Sequence, residues 1–189
     1  MEILYADPYY GTEKEGEIDF LAEILGRAEG LDPECTATET DFGLGADFPG
    51  VLLELFNSLE WPKVLSVGGL IATFFLGEKI EKNLGAWKRM GLSLVNFFRE
   101  RQPTFIDETT AALLVIAELD DASENFVKEI SVQVISGQSV PHGKGKLGRS
   151  PYALYIVNIV QKNSALCIGM SSRGEVLFRH EQGLNWTDF

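Results

Sequence analysis

The sequence predicts an α+β fold: an N-terminal β-α-β and helix-rich part packed on a C-terminal four-stranded antiparallel meander. Three observations carry this expectation. An apolar run, an amphipathic stretch and a Thr-rich run follow one another between Ile3 and Phe42. A single apolar stripe recurs at steps of four and three from Leu76 to Phe98. From Ile130 to His180, short β-rich segments alternate with turn residues.

Ile3-Leu4-Tyr5-Ala6, closed by Asp7-Pro8, predicts a first strand and a turn. Ile18, Leu21, Ala22, Ile24, Leu25 and Ala28 recur at helical spacing, with Glu17 and Asp19 in the first turn and Gly30 past the end. This predicts an amphipathic helix. Cys35 to Phe42 is rich in Thr and poor in good helix formers, which predicts a second strand. After Gly43-Leu44-Gly45, Pro49 suits a helix start, and Val51, Leu52, Leu55, Phe56 and Leu59 form one apolar face that ends at Pro62. Val64 to Leu76 is almost wholly apolar but shorter than the roughly 18 residues that span a bilayer, so a second, buried core helix is expected there.

Leu76, Ile80, Leu84, Trp87, Gly91, Leu94 and Phe98 predict a long helix, which places Lys79, Lys82 and Arg89 opposite its stripe, toward solvent or a partner. Pro103 stops it. Asp107-Glu108-Thr109-Thr110 then supplies an N-cap and an acidic first turn for a helix over 111–119, although Leu113-Leu114-Val115-Ile116 also suits a buried strand. The polar stretch 120–126 divides residues 1–119 from 127–189, a candidate subdomain border within one compact domain. Beyond it, Ile130, Val132 and Val134 alternate with polar residues as in a half-buried strand. Tyr152 to Val160 is apolar on both parities, which predicts a central strand covered on both faces. Two turns, at Lys162-Asn163-Ser164 and Ser171-Ser172-Arg173-Gly174, then separate the strands Ala165 to Met170 and Glu175 to His180.

Composition narrows the function. The chain has 189 residues, 45% of them hydrophobic, enough for a stable core without disulfide or metal staples. Cys35 and Cys167 exclude a disulfide framework, and no basic n-region with an apolar h-region opens the chain, so a cytoplasmic protein with reduced thiols is expected. Residues 1–60 carry 15 acids and 2 bases, more negative charge than the net −12 of the whole chain. Such a body repels phosphate backbones, which argues against general nucleic-acid binding and suits a basic protein partner. The leading expectation is therefore a non-enzymatic acidic interaction protein of the inhibitor or immunity type. A homo-oligomer is compatible with it. A second alternative is membrane association through residues 61–89, because Trp61 and Trp87 flank the apolar run and Lys79, Lys82, Lys88 and Arg89 follow it.

No catalytic motif, metal-ligand set or cofactor signature stands in the chain. Gly143 to Ser150 resembles a phosphate-cradling loop with Arg149 in the lysine position, but Pro151 and a strand follow where that loop needs a helix. His142, Lys144, Lys146 and Arg149 remain as a candidate anion or acidic-partner contact. Gly43-Leu44-Gly45-Ala46-Asp47-Phe48 begins like a dinucleotide fingerprint and departs from it at Phe48. His180 is expected at a strand end with its ring partly packed, and both cysteines are expected as buried, inert thiols within strands. The remaining constellation is spatial. If the opening β-α-β is parallel, Asp7 and Asp41 end neighbouring strands with Asp47 close by, a crevice that could hold a small ligand or metal ion or serve acid–base chemistry.

Overall fold

A computed structural model describes residues 1–41, 49–56, 64–67, 70–76, 78–120, 127–136 and 153–184. In chain order the elements are β1 (Glu2–Ala6), α1 (Phe20–Ala28), β2 (Thr36–Asp41), β3 (Pro49–Glu54), β4 (Val64–Val67), β5 (Leu70–Leu76), α2 (Glu78–Glu100), β6 (Phe105–Ile106), α3 (Glu108–Ala117), β7 (Val127–Ser136), β8 (Ala153–Gln161), β9 (Ser164–Ser171) and β10 (Val176–Gly183). They build an α+β fold with two antiparallel sheets, ordered β2-β3-β1-β6 and β10-β9-β8-β7-β5-β4.

The opening β-α-β is present, but split. β1 and β2 each pair antiparallel with β3, which lies between them, so the two run in the same direction without touching as neighbours. α1 forms where the apolar period predicts it: the Asp19 carboxylate caps it by accepting from the Ala22 amide at 2.9 Å, and Phe20, Ile24 and Ala28 are its buried face.

Two expected helices are strands instead. Residues 49–54, expected to begin a helix running toward Leu59, are β3, and Val51, Leu52 and Leu53 are buried in succession. A continuous apolar run satisfies a helix interior and a central strand equally, and only the neighbours β1 and β2 decide. The buried helix expected over Val64–Leu76 is the hairpin β4–β5, with Val67 paired to Leu70. The strand-rich composition of the run, Val, Ile, Thr and Phe, favours the same outcome.

α2 bears out the long stripe: Ile80, Leu84, Trp87, Leu94 and Phe98 are buried, while Leu76 belongs to β5 and Arg89 is exposed as expected. Trp87 therefore serves the core and not a membrane interface. Gly91 sits where α2 crosses α3, since a Cβ there would overlap the Leu113 carbonyl oxygen and stand 2.9 Å from Ala117 Cβ. α3 is the helix its cap predicts. Asp107 accepts from the Thr110 amide at 2.8 Å and hydroxyl at 2.7 Å, and Ala111 through Ile116 are buried all round.

The C-terminal meander β7-β8-β9-β10 follows the expected order, and β5 and β4 extend it beyond β7. β8 is central, yet its two parities differ: Ala153, Tyr155, Val157 and Ile159 are buried and the alternate residues only half-buried. Its expected burial on both faces is thus corrected to one. β6 ties the sheets together, since Ile106 donates its amide to the Ser172 carbonyl at 2.8 Å and accepts from the Tyr155 hydroxyl. One apolar cluster runs from Ile3 and Leu53 through Leu113 and Ile116 to Val157 and Ile168. The candidate border at 120–126 falls at residues 121–126 outside those described, while α3 packs on β7 and β8 across it. Among the described residues no helix is long and apolar enough to cross a membrane.

Candidate functional site

β1 ends at Ala6, and the chain turns at once because the Asp7 carboxylate accepts from the Tyr9 amide at 2.8 Å. Successive turns carry residues 9–17 past the end of the sheet, helped by the positive φ of Gly11 (70°) and Gly16 (76°). Asp19 then starts α1 as its cap. On the other side of β3, β2 closes with Glu39 and Asp41. These pieces line a cleft of about 850 Å³ at the carboxyl ends of β1 and β2. Among the described residues that line it six are acids, Asp7, Glu15, Glu17, Asp19, Glu39 and Asp41, and none is Lys, Arg or His. Phe20 and Val51 supply its apolar part, and the half-exposed Tyr10 also lines it.

The structure brings Asp7 and Asp41 to one pole. The Asp7 amide donates to the Pro49 carbonyl at 2.9 Å, and Asp41 pairs with Pro49 from the opposite side. They are therefore two strand spacings apart, roughly 10 Å. That separation is one between backbones, and a ligand lying between the strands would face both carboxylates. Among the described residues no group of three His, Cys, Asp or Glu side chains is placed to hold a metal ion. Asp47 lies outside the described residues, as do His142, Lys144, Lys146 and Arg149. Residues 43–48 lie outside the described residues, and strand β3, not a helix, follows them, so the dinucleotide-like Gly43-Leu44-Gly45 is not followed by the helix N-terminus that such a site needs.

Glu15, Glu17 and Glu39 were not legible as site residues, because turns and a split strand order place them. Asp19 was legible only as part of a helix start.

A second polar cluster packs against Phe20, which lines the cleft. Arg101, just past α2, meets Glu23 of α1 at 3.0 Å and stacks over Phe20 at 5.0 Å, while the Tyr9 hydroxyl donates to Glu23 at 3.0 Å. Arg27 meets Glu100 at 3.2 Å and lies over Phe97 at 4.9 Å. Beneath them Tyr5 is buried, and burial pushes its hydroxyl far above the ordinary phenol range against the opposing fields of Arg27 and Arg101.

The isolated candidates change their meaning. Cys35 lies before β2, not within it, and both cysteines are partly exposed where buried thiols were expected. Burial, with the Asp32 and Glu29 carboxylates beside it, pushes the Cys35 thiol up, which disfavours the nucleophilic thiolate. His180 is exposed on β10 and not partly packed. No family model matches the chain, and no curated protein or solved structure matches it.

Proposed function

We propose that this chain is a non-enzymatic, cytoplasmic interaction protein of the inhibitor or immunity type that docks a basic protein partner on its acidic cleft. The observation that supports this reading is the cleft's lining of six carboxylates, with no cationic side chain among its described lining residues. Carboxylates held around an apolar floor attract ammonium and guanidinium groups and speed encounter with a basic surface. The same field opposes nucleic acid. Two partly exposed free thiols agree with a reducing compartment.

The test uses a fluorescent Lys- and Arg-rich peptide and an acidic control, titrated with the protein at low and high salt. Binding of the basic peptide alone is expected, falling with salt. It should weaken about tenfold in the Glu15→Gln/Glu17→Gln/Glu39→Gln variant, on the basis of roughly 0.5 kcal/mol for each exposed pair. Equal binding by the variant overturns the cleft as the docking surface.

The placement of Asp7 and Asp41 on either side of Pro49 favours a second reading, a small cationic ligand spanning the two carboxylates. A polyamine would then raise the melting temperature of the wild type, and Asp41→Ala would abolish the rise.

A further inference from the structure

β10 is the outer strand of the six-stranded sheet, eight residues long and exposed along its whole length. It shows Val176, Leu177 and Phe178 to solvent at 45, 59 and 43%. No described residue pairs with its outer side. An open strand edge of this length is a template for another strand.

The phase of its hydrogen bonds is fixed. The Leu184 amide donates to the Asn163 carbonyl at 2.7 Å, and the register joins Gly183 to Ser164 and His180 to Cys167. In an antiparallel ladder the bonded pairs recur at every second residue. Phe178, His180 and Gln182 therefore direct their amides and carbonyls toward β9, and Arg179 and Glu181 direct theirs outward.

We infer that two copies of this chain pair through β10, antiparallel about a two-fold axis opposite His180, which joins their six-stranded sheets into one. The hydrogen-bond phase admits only registers in which outward-directed residues face each other. An axis opposite Arg179 or Glu181 sets like charges against one another, and an axis opposite Phe178 or Gln182 leaves Glu181 facing no base. An axis opposite His180 places Arg179 against the second copy's Glu181, and Glu181 against its Arg179. Both pairs are attractive, and the two-fold generates them together. A foreign strand would have to supply that charge order, which β10 already carries. Arg179 also lies 3.4 Å from Glu118 of its own chain, which holds the guanidinium at this edge between two acids. The edge of the other sheet is different, because β2 carries Glu39 and Asp41 with no base and repels its own copy.

This inference does not rest on the acidic cleft, which is lined from the other sheet. Its test is the mass in solution by sedimentation over a wide concentration range. The wild type is expected at twice the 20.9 kDa of one chain. Arg179→Glu alone and Glu181→Arg alone each set like charges opposite one another and should weaken association by about tenfold or more. An equimolar mixture of the two variants restores opposite charges at both pairs, so it should recover the dimer as a heterodimer. A monomeric wild type, a single variant that dimerises like the wild type, or a mixture that stays monomeric overturns the inference. Should either single variant fail to fold, the self-complementary double variant Arg179→Glu/Glu181→Arg decides: a dimer supports the register and a folded monomer overturns it.

Discussion

The two sheets of this molecule meet the same physical problem in different ways. Each is antiparallel, each packs against helices, and each ends in a strand open to solvent. The four-stranded sheet closes its edge with Thr36-Ala37-Thr38-Glu39-Thr40-Asp41, so that like charge keeps other strands away. The six-stranded sheet ends in Val176-Leu177-Phe178-Arg179-His180-Glu181-Gln182-Gly183, with apolar residues, a bulge between Val176 and Phe178, and charges of both signs. An edge of one sign repels its copy and attracts cations, whereas an edge of mixed sign can complement itself. The acidic pole and the self-pairing edge thus follow from where the chain puts its charges along two strands of similar exposure.

How far the two regions behave as one body can be broken experimentally at the helices between them. The largest effect is expected for Gly91→Ala, because the added methyl meets α3 backbone at Leu113 and α2 must shift away. A loss on the order of 3 kcal/mol is expected in denaturant unfolding, with both sheets melting in one transition. Survival of the six-stranded sheet after loss of the other would show two separable units.

Next comes Asp107→Ala. This carboxylate caps α3 and also accepts from the Glu2 amide at 2.7 Å, so its removal takes the acceptor from a buried donor on α3 and from a part-buried one at the start of β1. About 2 kcal/mol should be lost. Hydrogen exchange should open at β1 before β8, which sharpens the contrast between the sheets.

Glu23→Gln is confined to the four-stranded side. Arg101 loses an ion pair that is about a quarter exposed but keeps its rings, so a loss of about 1 kcal/mol is expected, and it should shrink at high salt. An equal loss at low and high salt would assign the cluster to packing alone.

The smallest effect is chemical. Because burial, Asp32 and Glu29 raise the Cys35 thiol, little of it is thiolate near neutral pH, and alkylation should gain rate toward higher pH than for a free thiol. Glu29→Gln removes one negative neighbour, lowers the thiol toward its ordinary value and should speed alkylation at neutral pH about twofold. An unchanged rate would leave burial and Asp32 as the causes.

Legibility followed the range of the forces involved. α1, α2 and α3 were readable because caps and apolar periods act within a few residues: Asp19 and Asp107 bind amides three positions on, and the stripe Ile80-Leu84-Trp87-Leu94-Phe98 repeats within one helix. The strands β7 to β10 were readable from alternation and from the turns between them. β3 and the β4–β5 hairpin were not, since Val51, Leu52, Leu55, Phe56 and Leu59 fall at helical spacing although Val51-Leu52-Leu53 also suits a buried strand, and Val64 to Leu76 is apolar without a period; such runs take whichever form their neighbours complete. In the site, Asp7 and Asp41 could be placed at strand ends, but the strand between them, and with it their separation, came from pairing across the chain.

The order of amino acids alone determined the acidic first third, the starts of the helices and the alternation of the last strands, because each is a property of composition or of contacts a few residues apart. Only the tertiary structure decided that β3 would divide β1 from β2, that Glu15 and Glu39 would share a cleft, and that β10 would be left at an edge. Strand pairing joins residues far apart in the chain, and the same short apolar segment can satisfy more than one pairing. Its choice rests on the whole set of neighbours that bury it.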